Sequence, residues 1–158
     1  MNAKRLIAAV LAVGALTAAG CGGDDDDEGA EEPSKSEYIA SSNALCKESE
    51  AVAAEGFERI IGSGRPSPAE AQRVLREAVI PAIRRNVGER EALVPPEGDE
   101  AEVEAIISAG NEAVAGFEEV AADRRQVEAL FRGELRDPAT EFDSLSREYG
   151  IEQCAGGD

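Results

Sequence analysis

The sequence predicts an all-α protein: an up-down four-helix bundle with one disulfide, preceded by a signal peptide and a disordered acidic tether. From residue 34 onward, apolar residues recur at steps of three and four, the period of one helix face. β-branched residues do not alternate with polar ones over any run, so the pattern contains no strand signal. Helix-start and helix-stop signals divide this region into four segments with short connections, which favours antiparallel neighbours.

The first twenty residues have the three parts of a secretory signal peptide. Lys4 and Arg5 give a short positive segment, Leu6 to Ala19 is almost entirely apolar, and small residues then lead to Cys21. The apolar run is too short to span a bilayer comfortably as a permanent helix. We therefore expect residues 1–20 to direct export and to be removed.

The segment Ala18-Ala19-Gly20-Cys21 resembles the lipobox of bacterial lipoproteins. The resemblance implies diacylglycerol transfer to the Cys21 thiol, cleavage after Gly20, and acyl chains such as palmitate that anchor the new N-terminus in a membrane. The family usually has Leu three residues before the cysteine, where this chain has Ala18. The alternative is a plain secretory signal with a cysteine at this position by chance.

Residues 21–33 are expected to form a disordered tether. They contain no large apolar residue to bury, so they should stay disordered. Repulsion between their negative charges should extend them, to at most about 40 Å. Calcium loops alternate their ligands and place a glycine at a sharp turn, and this run has no such spacing. We favour a solvated spacer over an ion site. The acidic residues are Asp24, Asp25, Asp26, Asp27, Glu28, Glu31 and Glu32.

The first helix is predicted to begin at a capping box formed by residues 34–37 and to end at Gly62-Ser63-Gly64. Steps of three and four place its apolar and small residues on one broad face. That face comprises Tyr38, Ile39, Ser42, Leu45, Cys46, Ser49, Val52, Ala53, Gly56, Phe57, Ile60 and Ile61.

The second helix has the same start signal at residues 67–70, now with Pro68 where a missing N–H costs nothing. Pro81 lies inside the helix and predicts a kink rather than an end, whereas Pro95-Pro96 is a firm stop. The expected core face comprises Ala71, Val74, Leu75, Ala78, Val79, Ala82, Ile83 and Val87.

The third helix is predicted to open at Asp99 with Glu102. Gly110 weakens this helix locally, and we expect it to allow a close helix contact rather than to mark a break. The expected core face comprises Val103, Ile106, Ile107, Gly110, Val114, Phe117, Val120 and Ala121.

Beyond Asp123 the signals conflict. The helical period continues to residue 131, yet Gly133 and Pro138 mark a break. We favour a turn near Asp123 and a fourth helix kinked near Pro138; the alternative is one long third helix and a short last one. Gly150 with Ile151 then resembles a helix C-cap and its hydrophobic contact.

Setting Cys21 aside as acylated leaves Cys46 and Cys154 as one pair, which we expect to form a disulfide in an oxidising compartment. Closing a loop of roughly a hundred residues contributes about 4–5 kcal/mol in the chain-entropy model. Such a bond fits four helices better than three, because an even number of antiparallel helices returns the chain to its starting end. The competing interpretation is a reactive or metal-binding thiol pair.

Charge and composition exclude several functions. Loss of the leader leaves 14 basic and 33 acidic residues, a net charge near −19, and such a surface repels nucleic acid. Histidine is absent from the sequence, which removes the commonest general base and transition-metal ligand. Paired carboxylates such as Glu118-Glu119 are more typical of a solvated surface than of acid–base catalysis. We therefore predict no catalytic residue, no metal and no cofactor.

The remaining candidates are two basic doublets and two asparagines. For Arg84-Arg85 and Arg124-Arg125 we favour ion pairs with neighbours such as Glu89 and Glu128 over a site for an anion or an acidic partner. For the asparagines we favour fixing helix register or facing water over lining a polar pocket. The two asparagines are Asn43 and Asn111, and the aromatic residues at core spacing are Phe57, Phe117, Phe131 and Phe142.

The segments "YIASSNALC", "LVPPEGDE" and "YGIEQC", with the lipobox and the acidic tether, look like small helical lipoproteins from high-GC Gram-positive bacteria. The resemblance covers most of the mature chain and implies the bundle over residues 34–158, the disulfide and anchorage at the extracytoplasmic face of the cell membrane. It brings no established activity. We expect a non-catalytic interaction or structural module of the cell envelope; the alternative is a small-ligand or cation-binding bundle, which in its buried form needs a cavity of roughly 300 Å³ or more.

Overall fold

The computed structural model of the protein describes residues 32–155. Within this range every regular element is helical and no strand occurs, so the all-α prediction is confirmed. The predicted signal peptide, Cys21 and the tether up to residue 31 lie outside the described residues. The elements are α1 (Lys35–Ile61), α2 (Pro68–Val74), a π-helical turn (Leu75–Val79), α3 (Ile80–Glu91), α4 (Glu100–Ala122), α5 (Arg124–Phe131), α6 (Thr140–Tyr149) and a 3₁₀ turn (Glu152–Cys154).

Both predicted capping boxes are present. The Ser34 hydroxyl accepts a hydrogen bond from the backbone N–H of Glu37 at 3.3 Å, and the Glu37 carboxylate accepts one from the Ser34 N–H at 2.9 Å. Ser67 and Glu70 make the same two bonds, at 3.3 and 2.8 Å. Each box satisfies two N–H groups that have no partner inside the helix, which fixes where α1 and α2 begin.

The helix ends follow the predicted stop signals in two places. Gly62 follows the last residue of α1 with a φ of 67°, a value that favours glycine. Gly150 ends α6 in the left-handed conformation, and the N–H groups of Gly150 and Ile151 both donate to the Ser146 carbonyl. Ile151 is fully buried, which supplies the hydrophobic contact expected at this C-cap.

The second predicted helix continues through Pro81 without stopping. A proline has no N–H and crowds the preceding turn, so the helix must adjust on its N-terminal side. It does so with the π-helical turn, which lies directly before α3 and is closed by the Ile80 N–H donating to the Leu75 carbonyl. The α2, π-turn and α3 segments therefore form one uninterrupted helical stretch from Pro68 to Glu91.

The predicted fourth helix with a kink near Pro138 is wrong. The turn near Asp123 is present, because the Asp123 side chain accepts the Arg125 N–H at 2.8 Å and caps α5. The chain then leaves the helix at residue 132 and forms two separate helices, α5 and α6, joined by residues 132–139. In this connection Gly133 has a φ of 71°, and the Asp137 carboxylate accepts the Ala139 N–H at 2.8 Å. Asx turns of this kind compete with continued helix.

The N-terminus of α4 lies where it was predicted, but Asp99 does not cap it with its side chain. The Asp99 carboxylate instead accepts the Tyr149 hydroxyl at 2.7 Å and forms an ion pair with Lys35 at 3.1 Å. The hydrogen bond from Tyr149, followed by that from Lys35, lowers the pKa of Asp99. Asp99 thereby ties together the starts of α1 and α4 and the end of α6.

The core consists of two apolar clusters distributed along α4. The first half of α4 packs into a cluster with α1, α6 and the 3₁₀ turn; the second half packs into a cluster with α2, α3 and α5. Among the described residues no helix has the length and apolar character required to cross a membrane. The first cluster comprises Tyr38, Cys46, Val103, Ile106, Ala109, Phe142, Tyr149, Ile151 and Cys154, and the second comprises Ala71, Leu75, Ile80, Val114, Phe117, Val120, Ala121 and Val127.

Two of the four aromatic residues at core spacing do not lie in the core. Phe117 and Phe142 are buried, whereas Phe57 and Phe131 are 36% and 44% exposed. Phe57 lies in the last third of α1, where only a narrow face around Gly56 is buried. Phe131 is the last residue of α5, whose one buried residue is Val127. Spacing therefore overestimated the width of the buried face at both helix ends.

Candidate functional site

The predicted Cys46–Cys154 disulfide is present. It joins the first half of α1 to the 3₁₀ turn after α6, with the two Cα atoms 5.2 Å apart and the cysteines 108 positions apart in sequence. Both cysteines are buried, and both belong to the first apolar cluster. The bond therefore links the two ends of the described domain inside its core.

A fully buried arginine lies against this disulfide. Arg90, in the last turn of α3, is 0% exposed, and its Nη2 donates to the Sγ atoms of Cys154 and Cys46 at 3.0 and 3.2 Å. The same nitrogen lies 3.5 Å from Oδ1 of Asn86, which is also buried. The guanidinium lies 5.6 Å from the centre of the Phe142 ring, within the range of a cation–π interaction.

The charge of Arg90 has no carboxylate partner among residues 32–155. Its Nε and Nη1 atoms make no hydrogen bond within this range, nor do the buried hydroxyls of Tyr38, Ser42 and Ser146. Burial lowers the pKa of Arg90, and the neighbouring Tyr38 opposes that shift. The guanidinium of arginine is not deprotonated in proteins, so Arg90 stays charged at neutral pH. A buried charge without a paired counter-charge is costly to the folded state.

We call Arg90, Asn86, Tyr38, Ser42 and the disulfide the Arg90 cluster. Burial raises the pKa of Tyr38, while Arg90 and Ser42 lower it, so the phenol lies close enough to both to interact with them. The phenol stays protonated at neutral pH, because its pKa is raised from an ordinary value of about 10. The cluster is thus a buried cation surrounded by neutral polar groups and two sulfur atoms.

Sequence analysis missed Arg90 and Asn86. Their positions continue the predicted core face of the second helix, since Asn86 is four residues after Ala82 and Arg90 is three residues after Val87. They could have been identified as polar residues that occupy core positions in the helical pattern of the second predicted helix. Such residues are rarely buried without a partner.

A cleft of about 150 Å³ adjoins the disulfide. Its volume is about half of that expected for a buried ligand site from the sequence. Its walls combine an aromatic ring, carboxyl groups and amide groups with the two sulfur-bearing residues. The residues that define its chemistry are Cys46, Glu50, Asn86, Phe142, Asp143, Gln153 and Cys154.

One carboxyl group of the cleft titrates near neutral pH. Burial raises the pKa of Asp143 to about 6, with a further contribution from the negative charge of Asp137 and an opposing one from Arg147. The cleft therefore carries more negative charge at pH 7 than at pH 5.

Neither predicted asparagine lines the cleft. Asn43 accepts the backbone N–H of Gln153 at 3.0 Å, and the Gln153 side chain donates to Glu50 at 2.8 Å, so Asn43 holds the 3₁₀ turn against α1. Asn111 is exposed and donates to Glu91 at 3.1 Å on the surface. Asn43 thus positions the segment that carries Cys154.

The two basic doublets differ in their surroundings. Arg85 forms ion pairs with Glu89, as expected, and with Glu48 of α1, at 2.7 and 2.5 Å. Arg84 pairs with Glu118 of α4. These pairs are solvent-exposed and contribute little to stability.

The expected pairing of the second doublet with Glu128 is not observed. Glu128 lies 3.7 Å from Arg132. Arg124 and Arg125 form no ion pair within the described part of the chain. A surface depression of about 690 Å³ nearby is lined by Arg65, Pro66, Pro68, Phe131 and Arg132, among others.

No group of three or more His, Cys, Asp or Glu side chains in residues 32–155 is arranged to hold a metal ion. Comparisons of the chain with protein-family models, curated proteins and solved structures found no significant match.

Proposed function

We propose that the protein is a lipoprotein of the cell envelope, anchored through acylated Cys21 at the extracytoplasmic face of the cell membrane. Its helical domain, residues 34–158, acts as a non-catalytic interaction or structural module. Residues 21–33 form the tether between the membrane and this domain. The proposal rests on the leader sequence, on the lipobox-like segment before Cys21 and on the state of the other two cysteines.

The observation that carries the proposal is the Cys46–Cys154 disulfide. Disulfides persist in oxidising compartments and are rare in the cytosol, where thiols are kept reduced. The chain has three cysteines, so pairing two of them leaves Cys21 alone, at the position where the lipobox resemblance places the acyl acceptor. The export signal and the cysteine pairing therefore favour the same location.

The domain is further proposed to be an up-down four-helix bundle in which the fourth helix is divided into two. The first three helices of the bundle are α1, the stretch from α2 to α3, and α4. Helices α5 and α6 both pack against α4 and together take the position of the fourth helix. The 3₁₀ turn after α6 packs against α1, as expected when an even number of bundle helices brings the chain back to its starting end.

Acylation is tested by incorporation of radiolabelled palmitate in a bacterial host that processes lipoproteins. We expect the wild-type chain to carry the label and to fractionate with membranes, and Cys21→Ala to lose both properties. Cys154→Ser, which keeps the acceptor cysteine, is the matched control and should retain the label. Label on Cys21→Ala, or none on the wild type, would contradict the proposal.

A second candidate function, binding of a small organic cation, is favoured by the cleft beside the disulfide. Its carboxyl groups, Glu50 and Asp143, attract positive charge, and the Phe142 ring provides an apolar wall. Its volume of about 150 Å³ limits the ligand to a few heavy atoms. Thermal shift measurements with a series of small alkylamines test this function: a saturable increase in Tm that Asp143→Asn abolishes would support it, and no shift at millimolar amine would reject it.

A further inference from the structure

We propose that the Cys46–Cys154 disulfide is redox-responsive, with Arg90 stabilising a thiolate in its reduced form. This goes beyond membrane anchorage, since it assigns a reversible chemical change to a bond that would otherwise serve only as a structural link. Three features support this role: the position of Arg90, the absence of a counter-charge for it within residues 32–155, and access to the sulfur atoms.

The position of Arg90 favours the reduced state whichever sulfur is released. Its Nη2 lies 3.0 Å from Sγ of Cys154 and 3.2 Å from Sγ of Cys46. In the disulfide both sulfurs are neutral and are weak hydrogen-bond acceptors. A thiolate formed at either position accepts a charge-assisted hydrogen bond from the same donor, and such bonds are about twice as strong as neutral ones. Adjacent arginines are known to lower the pKa of cysteine thiols.

The missing counter-charge strengthens this preference. Arg90 is fully buried and forms no ion pair within residues 32–155, and Nε and Nη1 are without hydrogen-bond partners there. Reduction supplies an anion next to this cation, so an isolated buried charge becomes a buried pair. Burying Arg90 therefore costs more free energy in the oxidised form, which has no anion beside it, than in the reduced form.

Some of the charged and titratable groups around the sulfur atoms stabilise a thiolate, and others destabilise it. Arg90 of α3 favours a thiolate, and Tyr38 of α1 is a neutral neighbour of Arg90. Glu50 of α1 and Asp143 of α6 line the cleft and oppose a thiolate when they are ionised. Within residues 32–155, Arg90 is the one charged group that donates directly to the sulfurs, so its effect is expected to dominate.

The chemistry is a dithiol–disulfide exchange with a small dithiol as the reductant. A thiolate of the dithiol attacks one protein sulfur, the Cys46–Cys154 bond breaks, and the electron pair stays on the other protein sulfur as a thiolate beside Arg90. The second thiol of the reductant loses its proton to water and attacks the mixed disulfide, and the second protein sulfur leaves as a thiolate that takes a proton from water. Two electrons pass to the protein, and the reductant ends as a disulfide.

Access and reversibility are both provided by the surroundings of the bond. The cleft of about 150 Å³ is lined by both cysteines and is open to the surface, so one thiol group of a small dithiol can approach the sulfur atoms through it. After reduction, the hydrogen bond from the Gln153 N–H to Asn43 and that from Arg147 to the Ala155 carbonyl still hold the segment that carries Cys154. The two thiols therefore stay close together and can be oxidised again.

The test uses the full-length chain with Cys21→Ala, so that only two thiols titrate and the result does not depend on acylation. The reduced protein is titrated by thiolate absorbance at 240 nm, and the oxidised protein is equilibrated with mixtures of reduced and oxidised dithiothreitol. We expect one thiol to have a pKa at least one unit below the ordinary value of about 8.5. Arg90→Met should return that pKa to the ordinary value or above and lower the equilibrium constant for reduction at least tenfold, about 30 mV for two electrons.

Two further variants separate charge from packing. Arg90→Lys keeps a cation beside the sulfurs and should retain a lowered thiol pKa. Arg85→Met removes an exposed arginine of the same helix that does not touch the sulfurs, and it should leave both measurements unchanged. Ser49→Phe fills part of the cleft and should slow reduction by dithiothreitol several-fold without changing the equilibrium constant.

Ordinary or raised pKa values for both thiols of the parent protein would overturn the proposal, and this titration does not depend on how well Arg90→Met folds. An equilibrium constant that is the same for Arg90→Met and its parent would also overturn it. An unchanged rate for Ser49→Phe would reject the cleft as the route to the sulfurs.

Discussion

At the scale of single residues, the carboxyl group of Asp143 couples the cleft to pH. Burial raises its pKa to about 6 from an ordinary value of 3.8. The folded chain therefore binds this proton more tightly than the unfolded chain does. The resulting stabilisation is fully present below about pH 4, and it is lost as the pH rises through 6. At neutral pH the ionised carboxylate is a net cost to the fold.

Replacing Asp143 by Asn should remove this cost. A pKa raised from 3.8 to about 6 corresponds to about 3 kcal/mol, and allowance for the partial exposure of the group reduces the expected gain at pH 7.5 to about 1 kcal/mol. At pH 4 the variant and the wild type should differ little. Urea unfolding at the two pH values measures both differences.

The control for this prediction is Glu141→Gln, which removes an exposed carboxylate from the same helix. It should change the free energy of unfolding by less than 0.5 kcal/mol at either pH, as is usual for surface substitutions. Equal gains from the two variants at pH 7.5 would show that net charge, and not the burial of Asp143, accounts for the effect.

Single residues also differ in how far the sequence predicts their burial. Along α4 the buried residues are apolar or small, so their period alone identified most of them. Arg90 has the same period, but a long charged side chain at a core position can also extend to the surface and keep its charge in water. Only the three-dimensional structure, in which α1, α6 and the 3₁₀ turn surround the guanidinium, distinguishes the two cases. For this reason the pairing of the cysteines was predictable from the sequence, whereas the burial of Arg90 against the disulfide was not.

At the scale of elements, glycines determine how closely the helices approach. A Cβ atom at Gly110 would lie 2.7 Å from Val87 and 3.3 Å from the Phe142 ring, so the close contact predicted from the sequence is confirmed. A Cβ at Gly56 would overlap the Cβ of Ala78 in the π-helical turn. Helix α1 therefore crosses that turn nearly backbone to backbone.

Gly56 and Gly88 make a matched pair for testing this contact. Gly56→Ala should lower the free energy of unfolding by about 1–3 kcal/mol, because the added methyl group forces the two helical segments apart. Gly88→Ala, in α3, meets no atom within 4 Å and should raise the free energy of unfolding by about 0.5–1 kcal/mol through its better helix propensity. Urea denaturation measures both, and stabilisation by Gly56→Ala would contradict the close approach of α1.

The division of the predicted fourth helix into α5 and α6 shows a limit of local signals. Gly133 and Pro138 indicated a break, while the period through Phe131 indicated continuity, and the sequence offered no means of weighing them. In the structure α5 packs on α2 and α4 in the second apolar cluster, whereas α6 packs in the first. Contacts with distant segments therefore decide the outcome, which makes this the least predictable part of the fold.

At the scale of the whole molecule, the disulfide and the arginine beside it both affect the stability of the domain. A crosslink between residues 108 positions apart restricts the unfolded chain strongly, which corresponds to about 4–5 kcal/mol in the chain-entropy model. That is a large fraction of the 5–15 kcal/mol typical of folded domains. The same bond supplies the only sulfur acceptors that Arg90 has within residues 32–155.

These two roles predict that Arg90 and the disulfide are energetically coupled. Cys46→Ala combined with Cys154→Ala should lower the free energy of unfolding by about 4 kcal/mol, and it also removes the two sulfur acceptors of the Arg90 guanidinium. Arg90→Met should therefore cost less in this background than in the wild type, by about 1 kcal/mol or more, because it now removes a buried charge that has lost its hydrogen bonds to the sulfurs. Urea unfolding of the four proteins in a double-mutant cycle measures the difference. Equal effects of Arg90→Met in both backgrounds would mean that the contact between Arg90 and the sulfurs contributes nothing to stability, and that Arg90 is held in the core by other groups.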